Sequence, residues 1–418
     1  MSENDSTQLI EAPNFSEFIN TQKYLPHDLL FINNSITSEE KENYNFLYAI
    51  LYLLTNNGFL MEHFLSLNVS EDNKVKIFYN MISKMFDCIK INNDMNETNN
   101  QEKLNNLKKD MEDKMNQTVQ LIRQFKNLLK KDMIFEKKYL RTIIMQILVR
   151  TLKQKNLDKS NSLESSEGKS SSDDLIKTII ESLKEGNTSE YSLLENSLEK
   201  SYMWSSEYEN TEIYNKTKDI IIKTTDVDGN EKYRYSSFFT FNLEEDIKEN
   251  EIEREKVYRI EDCFINYLNE IKIRDKQKKI KTKVYFKLPE SIIIILYFGI
   301  TDYPPNSLYD FEEIIDFSKE EYAQYLDESI RNKKYILSSL IACKFPNQPN
   351  EFFYTFCRNS NNKFNMYHNK DGEVSENENV VNKLKKTKIV KKDGNTSYPY
   401  ALIYDEIKDE KEKKTTDF

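Results

Sequence analysis

This chain has little histidine, little glycine and no paired cysteine spacing. Its 418 residues contain three His, seven Gly and four Cys. The His residues stand alone at His27, His63 and His368. No HxxxH, HxH or CxxC spacing occurs, so neither a zinc centre nor another metal cluster is indicated, and no cofactor is expected. The seven Gly are scattered, with no GxGxxG and no GxxxxGK[ST], which excludes the common phosphate-cradling loops. Cys88, Cys263, Cys343 and Cys357 show no disulfide framework. The start, "MSENDSTQLIEAPNF", lacks a basic-then-apolar leader pattern. No apolar run approaches 18 residues, and "SIIIILYFGI" (291–300) is too short to span a bilayer, so no membrane partner is expected.

What is present is a polar globular composition: 38% apolar, 31% charged, net charge −10. An acidic balance argues against broad nucleic-acid binding. The basic runs "KIRDKQKKIKTK" (272–283) and "KLKKTKIVKK" (383–392) are flanked by acidic ones and read as solvated surface. An intracellular protein follows, with a core of substantial size.

Hydrophobic periodicity divides the chain. "NYNFLYAILYLLTNNG" (43–58) reads as a buried helix with Leu47, Ile50, Leu51 and Leu54 on one face and Gly58 as its stop. Further helical patterns cover 73–90, 103–131, 137–154 and 174–185. Residues 92–101 and 158–173, rich in Asn or Ser, read as low-complexity insertions. From about residue 233 the pattern changes to β-branched and aromatic residues, often with period two: 233–243, 283–298, 334–345, 352–357, 364–368 and 398–407 read as strands. A helical half followed by an antiparallel half is an α+β arrangement.

Several segments, in this order, resemble the ubiquitin-specific protease family of papain-like deubiquitinases: the helix from Asn45, "DDLIKTIIESLKE" (173–185), "YRIEDCFINYL" (258–268), "FKLPESIIIILYF" (286–298), the strand pair at 352–368 and "YPYALIYDE" (398–406). The resemblance spans roughly residues 28–407. It implies a helical thumb at about 26–200, fingers at about 201–285 and an antiparallel palm at about 286–407. A tail precedes this domain (1–25) and a charged one follows it (408–418).

The resemblance also implies where a catalytic triad would stand, and each place is substituted. The nucleophile position at the start of the thumb helix holds Asn45, where the dipole and free N–H groups would otherwise favour a thiolate. "FINN" (31–34) places Asn34 at the oxyanion position. The base position holds Phe352, preceded by Glu351 where the family has Gly. The acid position holds His368, followed by Asn369. Phe352 cannot take a proton, so the expectation is a pseudoenzyme with no catalytic residue. The finger segments carry no Cys, so zinc is not expected there, and Trp204 with nearby Tyr is expected to anchor them by packing.

Inactive members of this family serve as protein-binding scaffolds. Those of the spliceosomal tri-snRNP are most similar to this chain, and a proteasome-bound member is the alternative. Subunits of such a complex are the expected partners, in the nucleus, with ubiquitin bound weakly or not at all. An extended Gly-Gly tail needs close backbone approach, which Glu351 disfavours. The short N-terminal tail leaves no room for the zinc finger that splicing members carry. An active thiolesterase with a nucleophile at one of the four Cys remains a third reading.

Overall fold

The computed structural model describes residues 45–55, 73–131, 204–205, 220–236, 239–242, 257–270, 279–297, 308–344, 352–358, 363–367, 374–377, 384 and 397–407. Among these, three helices come first: α1 (Asn45–Thr55), α2 (Asn73–Glu97) and α3 (Gln101–Lys131). The strands β1 (Trp204–Ser205), β2 (Ile220–Asp226), β3 (Glu231–Ser236), β4 (Phe239–Asn242) and β5 (Val257–Arg259) follow. Helix α4 (Ile260–Glu270) precedes β6 (Ile280–Lys287), β7 (Ser291–Tyr297), β8 (Leu308–Asp310) and β9 (Ile314–Asp316). After two short 3₁₀ turns come β10 (Lys334–Lys344), β11 (Phe352–Arg358), β12 (Phe364–Tyr367), β13 (Val374–Asn377) and β14 (Ser397–Glu406).

Helices α2 and α3 form an antiparallel hairpin. The expected insertion at 92–101 is mostly helix: α2 runs on to Glu97, and only residues 98–100 connect it to α3. Asn100 accounts for this economy, because its side-chain oxygen accepts from the N–H groups of Glu102 and Lys103 and caps α3. Asn-rich composition suggested a loop, but one Asn in the capping position suffices to turn the chain. The expected helices at 137–154 and 174–185, and the insertion at 158–173, lie outside the described residues.

The strands form two main sheets. One has the order β1-β3-β2-β6, and the larger runs β13-β12-β11-β10-β14-β7-β4, with β9 also pairing β10. The expected single strand at 283–298 is two strands in two sheets, β6 and β7, separated by Leu288-Pro289-Glu290. Pro289 offers no N–H to a ladder, so the extended pattern continues while the pairing changes. The expected strand at 233–243 likewise divides into β3 and β4. Pairing is antiparallel except that β4 joins β7, and β5 joins β8, in parallel. At the β2–β3 turn, Gly229 has φ +85, which disfavours a side chain, and Asp226 accepts from the N–H groups of Asp228 and Asn230.

The large sheet is covered on both faces. Phe46 through Leu54 of α1, with Phe78, Met81, Ile82 and Phe125 of the hairpin, pack on the face carrying Ile293, Ile341, Phe353 and Ile403. The opposite face carries Ile292, Ile294, Tyr335, Leu337, Leu402 and Tyr404, packed with Phe264 and Leu268 of α4 and with Ile220 and Ile222 of the small sheet.

Candidate functional site

Every one of the eleven residues of α1 is buried. "NFLYAILYLLT" is apolar on nearly every side, as a helix enclosed by protein must be. At its far end the Thr55 hydroxyl donates back to the Leu51 carbonyl at 2.7 Å. Its beginning meets β11 and β14. The rings of Phe46 and Phe353 lie 4.8 Å apart, and each lies 5.4 Å from Tyr400, all three pairs edge to face. One turn further along, Thr355 donates to the Ala49 carbonyl at 2.9 Å in a buried bond.

Asn45 therefore stands at the junction of helix and sheet, 4% exposed. Its side-chain N–H group is buried without a hydrogen-bond acceptor among the described residues, an arrangement that costs stability. Phe352 opens β11, one residue before the ring that touches the helix. Along β11 the side chains alternate. Phe353 and Cys357 belong to the core around α1, and Thr355 bonds that helix, whereas Phe356 belongs to the core on the far face. Phe352, half-buried, shares its face with Tyr354, the two rings 5.0 Å apart. The structure thus brings the two elements beginning at Asn45 and Phe352 together, but through Phe46 and Phe353. Asn34, His368 and Asn369 lie outside the described residues, as do His27 and His63; β12 ends at Tyr367, opposite Thr355.

The residues at the centre that motif reading missed are Phe353 and Tyr400. Alternation along β11 groups Phe353 with Thr355 and Cys357 without saying which face meets the helix, and nothing local marks the bulge in the β10–β14 ladder that places Tyr400. Ile341 pairs with Ala401 and Ala342 with Pro399, so Tyr400 is the extra residue. A bulge of this kind redirects a side chain.

All four cysteines are described. Cys88, Cys343 and Cys357 are buried, and Cys263 on α4 is half-buried. Burial pushes the Cys88 thiol from 9.0 up to about 12, with Asp87 adding to the rise. Burial likewise pushes Cys357 to about 12, against a smaller lowering by a hydrogen bond with Ser339. Thiols in such surroundings stay protonated and are poor nucleophiles. Among the described residues no three His, Cys, Asp or Glu side chains are grouped to hold a metal ion, and no helix is long and apolar enough to cross a membrane.

The described residues define a protein of mixed helix and largely antiparallel sheet. No family model matches the sequence, and no curated protein matches it significantly. Among solved structures, the chain is similar to a SAGA DUB module of Ubp8, Sgf11, Sus1 and Sgf73 carrying a Ubp8 variant, at TM-score 0.43 and 11% identity over 88% of this chain and 66% of that one. It is also similar to the SAGA DUB module with unsubstituted Ubp8, at TM-score 0.39, 12% identity and the same coverage. An essential yeast splicing factor is similar at TM-score 0.38 and 11% identity, over 88% of this chain and 68% of that one. The chain spans about two thirds of the length of these structures.

Proposed function

We propose that the chain is a ubiquitin-specific-protease-like protein that has lost hydrolysis and serves as a protein-binding scaffold in a nuclear complex, the spliceosomal tri-snRNP. The ordered segments of the sequence support the family reading. The observation that carries the loss of catalysis is the state of the thiols. The helix start that would activate a nucleophile holds Asn45, while Cys88, Cys343 and Cys357 are enclosed in the core. Hydrolysis by this route needs an ionised, accessible sulfur with a base beside it. Cys88 and Cys357 are pushed to about 12, far from ionisation at neutral pH. Phe352 offers no base.

The test combines activity with capture. The purified chain is expected to leave ubiquitin–amide substrates uncut and to remain unlabelled by ubiquitin vinyl sulfone. Affinity purification from the native organism is expected to recover tri-snRNP proteins. Labelling that is lost on substituting one of the four Cys would instead establish an active thiolesterase. Recovery of proteasome subunits alone would replace the splicing assignment and retain the scaffold.

A further inference from the structure

We infer that, among the described residues, the junction between α1 and the large sheet is a permanent closure, so that no ligand enters between them. The inference deepens the proposed function, sharing its placement of the nucleophile position at Asn45. Its physical basis is independent of that placement.

Three rings from distant parts of the chain meet there: Phe46 from α1, Phe353 from β11 and Tyr400 from β14. They are 3%, 3% and 4% exposed. Each ring touches both others edge to face, so displacing any one breaks two contacts. The backbone is shaped for this meeting, because the bulge in the β10–β14 ladder falls at Tyr400. Between the strands bearing Phe353 and Tyr400, β10 supplies Cys343, 2% exposed, directly opposite Phe353. The Thr355–Ala49 bond then ties the helix down one turn beyond the rings. A substrate cleft requires the opposite: solvent access and polar groups facing a gap. Here the residue at the helix start is itself enclosed, at 4% exposure.

The closure predicts the behaviour of a thiol placed at position 45. In Asn45→Cys, peptide mapping by mass spectrometry should find position 45 alkylated by iodoacetamide at least ~100-fold more slowly than in urea, because a core group reacts only when the structure opens. Adding Phe353→Ala should raise that rate by ~10-fold or more while Cys88 stays unlabelled. Rapid labelling at position 45 with Cys88 protected would overturn the closure and leave the proposed loss of hydrolysis standing. If Cys88 reacts as well, the variant has unfolded, and hydrogen exchange of the unsubstituted chain decides. Amides of residues 49–55 should then exchange as slowly as those of β10. Fast exchange confined to α1 would equally overturn the closure. Vinyl sulfone labelling of the unsubstituted chain, by contrast, would sink the proposed function and not the closure.

Discussion

The two faces of the large sheet are built from different materials. On the face covered by α1, the core is aliphatic and aromatic, with three buried thiols and a buried hydroxyl bond from Thr355 to the Ala49 carbonyl. On the other face, large buried tyrosines bind the backbone of neighbouring segments. Tyr285 donates to the Phe264 carbonyl at 2.7 Å, Tyr335 to Pro289 at 2.9 Å and Tyr404 to Glu312 at 2.7 Å. The first face holds α1 and the α2–α3 hairpin largely by shape. The second must also position the links around Pro289 and Glu312, whose backbone groups need partners once buried. Helix α1 bonds most of its own backbone and takes one tie from Thr355; the links around 289 and 312 lie outside the ladders and each receives a phenol, as does the Phe264 carbonyl of α4.

The sharpest way to break this contrast is at the ring cluster. Phe353→Ala should lower unfolding free energy by ~3–5 kcal/mol, the usual range for truncating a buried Phe, as measured by urea denaturation. If the loss were below ~1 kcal/mol, the junction would not be held by shape in the sense described.

Alkaline pH probes both faces. Cys88 and Cys357 are raised from 9.0 to about 12, and burial also raises Tyr285 and Tyr335 well above 10.0. For each, the unfolded chain loses its proton first, so the native state binds more protons and stability falls as pH rises. The full contribution is present below pH 9. It declines for the thiols between 9 and about 12, by about 1.4 kcal/mol per pH unit for each thiol. The urea midpoint should therefore begin to fall near pH 9, and Cys357→Ala should flatten the first part of that fall. An unchanged slope in that variant would remove the thiol from the account.

Tyr335→Phe tests the second face. It leaves the Pro289 carbonyl unsatisfied while keeping the ring, and should cost ~1–3 kcal/mol. A neutral result would mean that the phenols fill space and do not anchor connections.

The smallest effect belongs at the surface of the sheet. Burial acts to raise the Asp316 carboxyl, but hydrogen bonds from Lys334 and Ser318 and the charge of Lys334 outweigh it, leaving it depressed. The pair spans 2.8 Å with Lys334 half-exposed. Its contribution is present above the ordinary carboxylate value and is lost as pH falls through the depressed one. Asp316→Asn should cost under ~1 kcal/mol at neutral pH, and less at high salt.

The positions of many elements were legible because they follow local periodicity. Helix α1 and strands β10, β11, β12 and β14 appear within a few residues of their expected ranges. The partition of residues 280–297 between two sheets was not legible, since β-branched and aromatic residues lie on both sides of Leu288-Pro289-Glu290 and pairing is set by distant strands. The parallel pairing of β4 with β7 has no local signature either. At the site, the order of motifs pointed to Asn45 and Phe352. A strand reverses its faces with every residue, and the contact itself is made by Phe353. Only the register with β10 and the core around α1 decide which aromatic faces the helix.

The three-residue link between β6 and β7 has a mechanical consequence. It joins the small sheet to the large one, and its Pro289 and Glu290 carbonyls are both bonded to the central strands. Tyr335 of β10 grips the Pro289 carbonyl, and the Glu406 N–H of β14 grips the Glu290 carbonyl at 2.7 Å. A load on the β2–β3 turn, passed through the β2–β6 ladder, is delivered to the central strands of the large sheet. A partner pulling on the small sheet would be pulling against β10 and β14.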